Sequence, residues 1–196
     1  MIAARCVYGM SVLALTMALG ACSAPPPVLY SIAPVQGAVQ PGGPKIILLQ
    51  QIGLARYLER SQIVLSSENY RLDVMTNDWW GESLGPMLSR VLVEELGQRL
   101  PQSVVLSENG TVSSPPDATI ELNLRRLDED AAGSLVLTAQ VGLTFKGRQT
   151  PALRSFHFTV PPPAPGVPGE VAAISAAVGQ LADGLASMLL AGPLAH

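Results

Sequence analysis

From Ala118 the chain alternates strictly, with Ile120, Leu122 and Leu124 on one side of an extended strand and Glu121, Asn123 and Arg125 on the other. The same period returns at Leu135, Leu137, Ala139, Val141, Leu143 and Phe145, and again at Phe156, Phe158 and Val160. Successive strand side chains point to opposite faces, so these runs predict an antiparallel meander with one buried and one wetter face. A polar turn, Asp128 to Gly133, separates the first two runs, and Pro161-Pro162-Pro163 ends the third. Two stretches carry the helical period instead. Leu84, Met87, Leu88, Val91, Leu92, Leu96 and Leu100 form one apolar face, with Glu94, Glu95, Gln98 and Arg99 mostly opposite. Gly85-Pro86 would kink its early part or mark a late start, and Pro101 closes it. Val171, Ile174, Val178, Leu181, Leu185, Met188 and Leu189 make a longer stripe over about 168–190, stopped by Gly192-Pro193.

The earlier part of the chain reads in shorter pieces. Val28 to Ile32 is a short β-capable run, and Ala33 to Pro44, rich in Pro, Gly and Gln, reads as a loop. Ile46 to Leu49 suits a strand buried on both faces, although periodicity alone leaves a buried helix open. Ile63-Val64-Leu65 and Tyr70 to Val74 flank four polar residues as a hairpin. Thr76-Asn77-Asp78 is a cluster of N-cap types, and Ser103 to Leu106 a short strand before a polar loop. Together these elements predict an α+β fold: a mixed, mainly antiparallel sheet of about five to seven strands with two principal helices.

Composition narrows what such a domain can do. Of 196 residues 48% are hydrophobic and 14% charged, the balance of a folded core in one domain rather than a disordered chain. A net charge of -3 gives no electrostatic reason to bind nucleic acid. The two cysteines, Cys6 and Cys22, both lie near the start, so disulfides and cysteine metal sites are excluded from Ser23 onward. With only His157 and His196, a multi-histidine metal site is hard to build, and no cofactor is implied.

The first residues read as an address. Arg5 precedes an apolar run, Val7 to Leu19, that is short for a membrane span of roughly 20 residues but fits a signal-peptide core. Leu19-Gly20-Ala21-Cys22 comes next and resembles the lipobox of bacterial lipoproteins. The resemblance implies cleavage between Ala21 and Cys22 and acylation of the Cys22 thiol. Stable anchoring takes more than one acyl chain, which a triacylated cysteine supplies. Ser23 in the next position, where inner-membrane retention usually needs aspartate, implies delivery to the periplasmic face of the outer membrane of a Gram-negative bacterium.

A second resemblance sits in the domain itself. Tyr57-Leu58-Glu59-Arg60-Ser61-Gln62-Ile63-Val64, then Trp80-Gly81-Glu82-Ser83-Leu84, then Arg90-Val91-Leu92, resemble the ABC-type transport auxiliary lipoproteins, the paraquat-inducible protein C-like family. The family pattern is P-x-Y-L-D-R-P-Q-I-V followed by W-A-E-P-L. Here Glu59 stands for the aspartate, Ser61 and Ser83 for prolines, Gly81 for alanine, and Ala55-Arg56 replaces the proline before the tyrosine. The resemblance implies a three-layer fold around a mixed sheet. It also implies a non-enzymatic, lipid-anchored subunit of an intermembrane lipid transport system, in which an ABC permease and ATPase work with proteins of the mammalian-cell-entry (MCE) type. A ring of several copies is a further implication, for which the sequence itself holds no signal. The expected organisation is a signal peptide over 1–21, a lipidated N-terminus, short strand and Pro/Gly-rich tether over 22–44, and a single periplasmic auxiliary-lipoprotein domain over 45–196.

The motif residues Tyr57, Leu58, Arg60, Gln62, Ile63, Val64, Trp80 and Glu82 are the candidate site, structural or partner-docking. Trp80 is expected to pack under the first helix, with Trp79 left open between core and interface. Arg60 is expected to pair with a carboxylate or cap a loop carbonyl. Glu82 is expected in the first turn of the helix, where the dipole favours a carboxylate. His157 alternates with Phe156 and Phe158 and so faces away from them as a solvated residue. Asp128-Glu129-Asp130 lacks the glycine and distal glutamate of a calcium loop and reads as a solvated turn. No G-x-S-x-G, Walker or H-E-x-x-H motif occurs, so any ATP hydrolysis belongs to another chain. The alternatives to a docking subunit are a lipid-carrying lipoprotein and, lacking a nucleophile–base constellation, a lipid-anchored hydrolase.

Overall fold

The computed structural model describes residues 25–148 and 150–192. In chain order they form β1 (Val28–Tyr30), β2 (Ile46–Leu49), β3 (Gly53–Leu54), a 3-10 turn (Arg56–Leu58), β4 (Gln62–Ser66), β5 (Asp73–Trp80), α1 (Leu84–Arg99), β6 (Val104–Ser107), β7 (Ala118–Glu129), β8 (Leu135–Phe145), β9 (Ala152–Val160) and α2 (Val167–Ala191). The spine is β7. On one edge it begins the antiparallel meander β7-β8-β9. On the other, β2, β3 and β4 line up in parallel, opposite residues 118–120, 123–124 and 129 in turn. β6 lies beyond β2, and β5 then β1 lie beyond β4. The α+β class and the mixed sheet agree with the sequence patterns. The strand number rises to nine because β1 joins the sheet and Gly53-Leu54 pairs separately from β2.

One irregularity decides which side chains reach the core. The β7–β8 register shifts between Leu124 and Arg126, leaving Arg125 as an extra residue. A bulge of this kind reverses the inward and outward sense of the residues beyond it. Before it Ile120, Leu122 and Leu124 are buried; after it Leu127 takes the inward phase opposite Leu137. Glu129, two residues on and opposite the buried Leu135, shares that face.

Both helices pack against each other on this inner face, as the contact of Arg99 with Gly179 shows. Glu121, Asn123 and Gln140 point from the opposite face to solvent. Among the described residues the helix pair thus lies against one face of the mixed sheet. α2 is long and apolar enough to cross a membrane, yet much of it is buried, with Ala173, Ala177, Val178, Ala182 and Ala186 fully inaccessible. Its small residues permit close approach: a side-chain carbon on Gly184 would run into the Phe156 ring.

Several local expectations change. Thr76-Asn77-Asp78 lies within β5, not at a helix start. β4 pairs with Val74 and Trp79 on either side of the segment and β1 with Asp78, and its polar side chains hold β1: Tyr30 Oη donates to Asp78 Oδ1 (3.0 Å) and Asn77 Nδ2 to Pro26 O (3.3 Å). β5 starts at Asp73 rather than Tyr70, because Asn69 and Tyr70 turn the chain with φ of 55° and 62°. α1 begins at Leu84 without a late start; Pro86 sits in its first turn, where an N–H would have no helical partner.

Residues 31–44, expected as the end of a short β run and a loop, form an extended strap across the two helices. Ile32 is buried in the core. Ala33 N–H donates to Ser175 Oγ (3.2 Å) on α2, Val35 N–H to Glu95 Oε1 (2.7 Å) and Gly37 N–H to Gln98 Oε1 (3.0 Å) on α1, and Gln40 N–H to Arg99 O (2.7 Å). Among the described residues, β1 and the strap are part of the folded body along with the chain from Lys45. The strap also explains why Glu95 and Arg99, expected on the polar face of α1, are each 1% exposed. That face is covered too. Arg99 Nε donates to Asp183 Oδ1 (2.6 Å), Nη1 to Val35 O (3.1 Å) and Glu95 O (3.2 Å), and Nη2 to Gly179 O (3.0 Å). A side chain on Gly37 would collide with this guanidinium, and one on Gly179 would come within 3.0 Å of Val35 Cβ. Glycine at both positions leaves room for the Arg99 and Val35 side chains to lie against backbone in the clasp.

Arg99→Met should lower the unfolding free energy by about 3–5 kcal/mol, because it strands the buried Glu95 and three carbonyls. Arg99→Lys should recover only part of this, since a point charge cannot serve a forked set of acceptors. Urea titrations check both; a loss under about 1 kcal/mol for Arg99→Met would show that the clasp does not hold the strap.

Candidate functional site

The two motif stretches are brought together by the β4–β5 pairing. Gln62 lies opposite Trp79, and Trp80 N–H donates to Ser61 O (2.7 Å). Between them opens a cleft of about 480 Å³, lined by Glu59, Arg60 and Ser61 on one side and by Trp80, Glu82 and Ser83 on the other, with Ile52 and Leu54 at its floor. Of the expected motif residues, Arg60, Trp80 and Glu82 line this cleft. Leu58, Ile63 and Val64 are core, and Gln62 is half-buried. Trp80 packs in the core with the residues of α1, as expected, while Trp79 is half-buried with Nε1 donating to Thr76 O (3.2 Å). Arg60 Nε donates to Tyr57 O (2.9 Å), capping a loop carbonyl. Glu82 precedes the helix rather than lying in its first turn, and it pairs with Arg90 at 2.7 Å, a third motif residue. Ala21 and Cys22 lie outside the described residues.

Tyr57 turns away from the cleft into a second polar centre that the sequence patterns did not signal. Its hydroxyl donates to Asp128 Oδ2 (2.6 Å). Arg126 Nε donates to Asp128 Oδ1 (2.8 Å), and its Nη2 to Glu68 Oε1 (2.6 Å) and Glu129 O (3.0 Å). Asp128 is thus fully buried and belongs to β7, not to a solvated turn; the turn begins at Asp130, whose Oδ1 accepts the N–H groups of Ala132 and Ser134. On the inner face, Glu170 of α2 is fully buried with neither carboxylate oxygen hydrogen-bonded, beside Glu129. The sequence patterns did not single out Glu95 and Glu170 as buried acids; the signal that would have found them is phase, since positions 92, 95, 96 and 99, and positions 167, 170, 171 and 174, share the helix faces of the apolar stripes. His157 is exposed, with Nδ1 3.2 Å from Thr138 Oγ1. Among the described residues no group of three potential metal ligands gathers.

The sequence matches the family model of the ABC-type transport auxiliary lipoprotein component over residues 30–186. The chain belongs to that family. No curated protein matches it. Two solved structures share the fold. One is a crystal structure of an uncharacterized protein, with TM-score 0.71 and 18% identity, covering 84% of this chain and 99% of the other. The second is protein XCC0632 from Xanthomonas campestris, of the DUF330 family, with TM-score 0.69, 18% identity and coverage of 84% and 95%. The motif cleft and the polar centre both fall within the matched residues of the auxiliary lipoprotein.

Burial governs the ionisation of these groups. It raises the Tyr57 hydroxyl, and the bond to Asp128 adds to the rise. It pushes Glu95 from 4.5 to about 7, against the opposing pull of the Val35 N–H and the Arg99 charge. Glu170 is also driven upward, first by burial and then by the carboxylates of Glu129 and Asp128. A protonated Glu170 would have a hydrogen to offer Glu129. Because the folded state holds these protons more tightly than the unfolded chain, the stabilisation is complete below the ordinary carboxylate range. It is lost as pH rises through about 7, the folded value of Glu95. The urea midpoint of this auxiliary lipoprotein should therefore fall between pH 5.5 and pH 8.5. In the Glu95→Gln, Glu170→Gln double variant the fall should flatten; an equal fall in that variant would place the titrating groups elsewhere.

Proposed function

We propose that the chain is a non-enzymatic, lipid-anchored periplasmic subunit of an ABC/MCE-type intermembrane phospholipid transport system, tethering or docking the complex at the outer membrane. The family match over residues 30–186 carries the reading, since that family is a transport auxiliary component. The lipobox ending at Cys22, only a short way before the match begins, supports the anchor. Two further features agree with a docking role. The strap joins the N-terminal segment to both helices, so a load at the anchor reaches the body of the domain. Arg90, Arg99 and Arg126 are engaged in internal ion pairs. Partnership with an MCE-type protein, residence at the outer membrane and any assembly of several copies belong to this proposal.

Cys22→Ala should abolish acyl labelling and leave the protein folded but absent from the outer-membrane fraction; labelling that persists in the variant refutes the anchor. Gentle detergent extraction of the native protein should co-isolate an MCE-type protein with its permease and ATPase. If cross-linking in the intact envelope recovers none of these three, the transport assignment fails while the anchor stands.

A further inference from the structure

The connection between β4 and β5, residues 67–72, presents an unusual surface. Asn69 and Tyr70 both occupy the left-handed region, at φ 55° and 62°, which disfavours a residue as bulky as tyrosine. Tyr70 is fully exposed, Leu72 beyond it is exposed, and Arg71 between them has a side chain 81% accessible, only loosely paired with Asp73 at 3.7 Å. A strained tyrosine that packs against nothing is not explained by stability. Replacing it with glycine would relieve the backbone at once.

The place of this tip relative to the anchor gives it a use. β1 runs parallel to β5, with Val28 opposite Asp78 and Tyr30 opposite Trp80. Traced backward from Val28, the chain heads along β5 toward its start at Asp73, and Pro26 O is still held by Asn77. Cys22 precedes Pro25 by three residues, so covalent geometry confines it to within about 11 Å of Pro25. A bilayer that receives its acyl chains therefore lies close to the β1–β5 edge, and the backward course of β1 leads toward the end of β5 that carries the hairpin tip. Val28 and Leu29 add exposed apolar side chains at the same edge.

We propose that the β4–β5 hairpin tip, through Tyr70, Arg71 and Leu72, is a second contact with the lipid surface and fixes the orientation of the domain on it; this rests on the lipid-anchor reading of Cys22. The chemistry fits an interface: a tyrosine ring with an apolar body and polar tip, a leucine beside it, and an arginine whose stem can lie along the acyl boundary with its charge among phosphates. One anchored point leaves a domain free to swing; a second contact removes that freedom.

The test uses the full-length lipoprotein reconstituted into phosphatidylethanolamine/phosphatidylglycerol vesicles. An environment-sensitive fluorophore is placed at Tyr70→Cys, at Leu72→Cys, or at Leu153→Cys on the outer face of the meander. Acylation blocks the Cys22 thiol, so the dye marks only the introduced site. Spin-labelled lipid should quench the dye at 70 and 72 several-fold more than at 153. Equal quenching at all three sites, in protein whose intact mass includes the lipid, overturns the hairpin contact. A chain without that added mass overturns the anchor reading and the proposal with it. Tyr70→Gly should raise the melting temperature while reducing quenching of a dye at 72; a lower melting temperature would show that the tyrosine serves the fold instead.

Discussion

The Arg99 guanidinium binds parts of the chain that share no strand. Its hydrogens reach the strap at Val35, its own helix at Glu95, and α2 at Gly179 and Asp183. A buried cation is costly unless every donor finds an oxygen. Here that requirement works as geometry: only one placement of strap and helices supplies all four acceptors. The glycines at 37 and 179, the buried Glu95 and the close helix pair are consequences of that arrangement. Apolar packing alone would allow the helices to slide along the sheet, because it has no direction.

The sequence announced its regular parts and concealed its exceptions, and physical reasons separate the two. The meander was legible because apolar side chains recur at every second position along β7, β8 and β9. The helices were legible because their stripes are long. The strap was not, since a segment without internal periodicity gives no sign of the surface it will lie on. Thr76-Asn77-Asp78 misled for a related reason: polar residues that favour caps are also acceptable on a strand whose neighbours use their side chains. The bulge at Arg125 moved Asp128 and Glu129 to faces that uninterrupted alternation would not give them. No single residue marks a bulge in advance.

The candidate site shows a similar division. The motif residues expected to act as a group divide by place in the structure. Leu58, Ile63 and Val64 shape the sheet from within. Arg60, Trp80 and Glu82 border a cleft, and Tyr57 serves the polar centre around Asp128. Family motifs of this kind record the needs of a hairpin and the helix behind it as much as the needs of a partner. The buried acids, by contrast, lie outside the motif, and only their phase on the helices betrays them.

The parallel pairing of β1 with β5 has a mechanical side. When a pull on the N-terminal end of β1 acts along the strand axis, it stretches the bonds of its three paired residues together, in shear. A pull across the sheet would peel them one at a time, which takes far less force. Behind β1 the strap is bonded first to α2 and then to α1, so a tug that frees the first strand next meets a further row of bonds. The domain is thus built to resist tension from one direction and to yield to it from another.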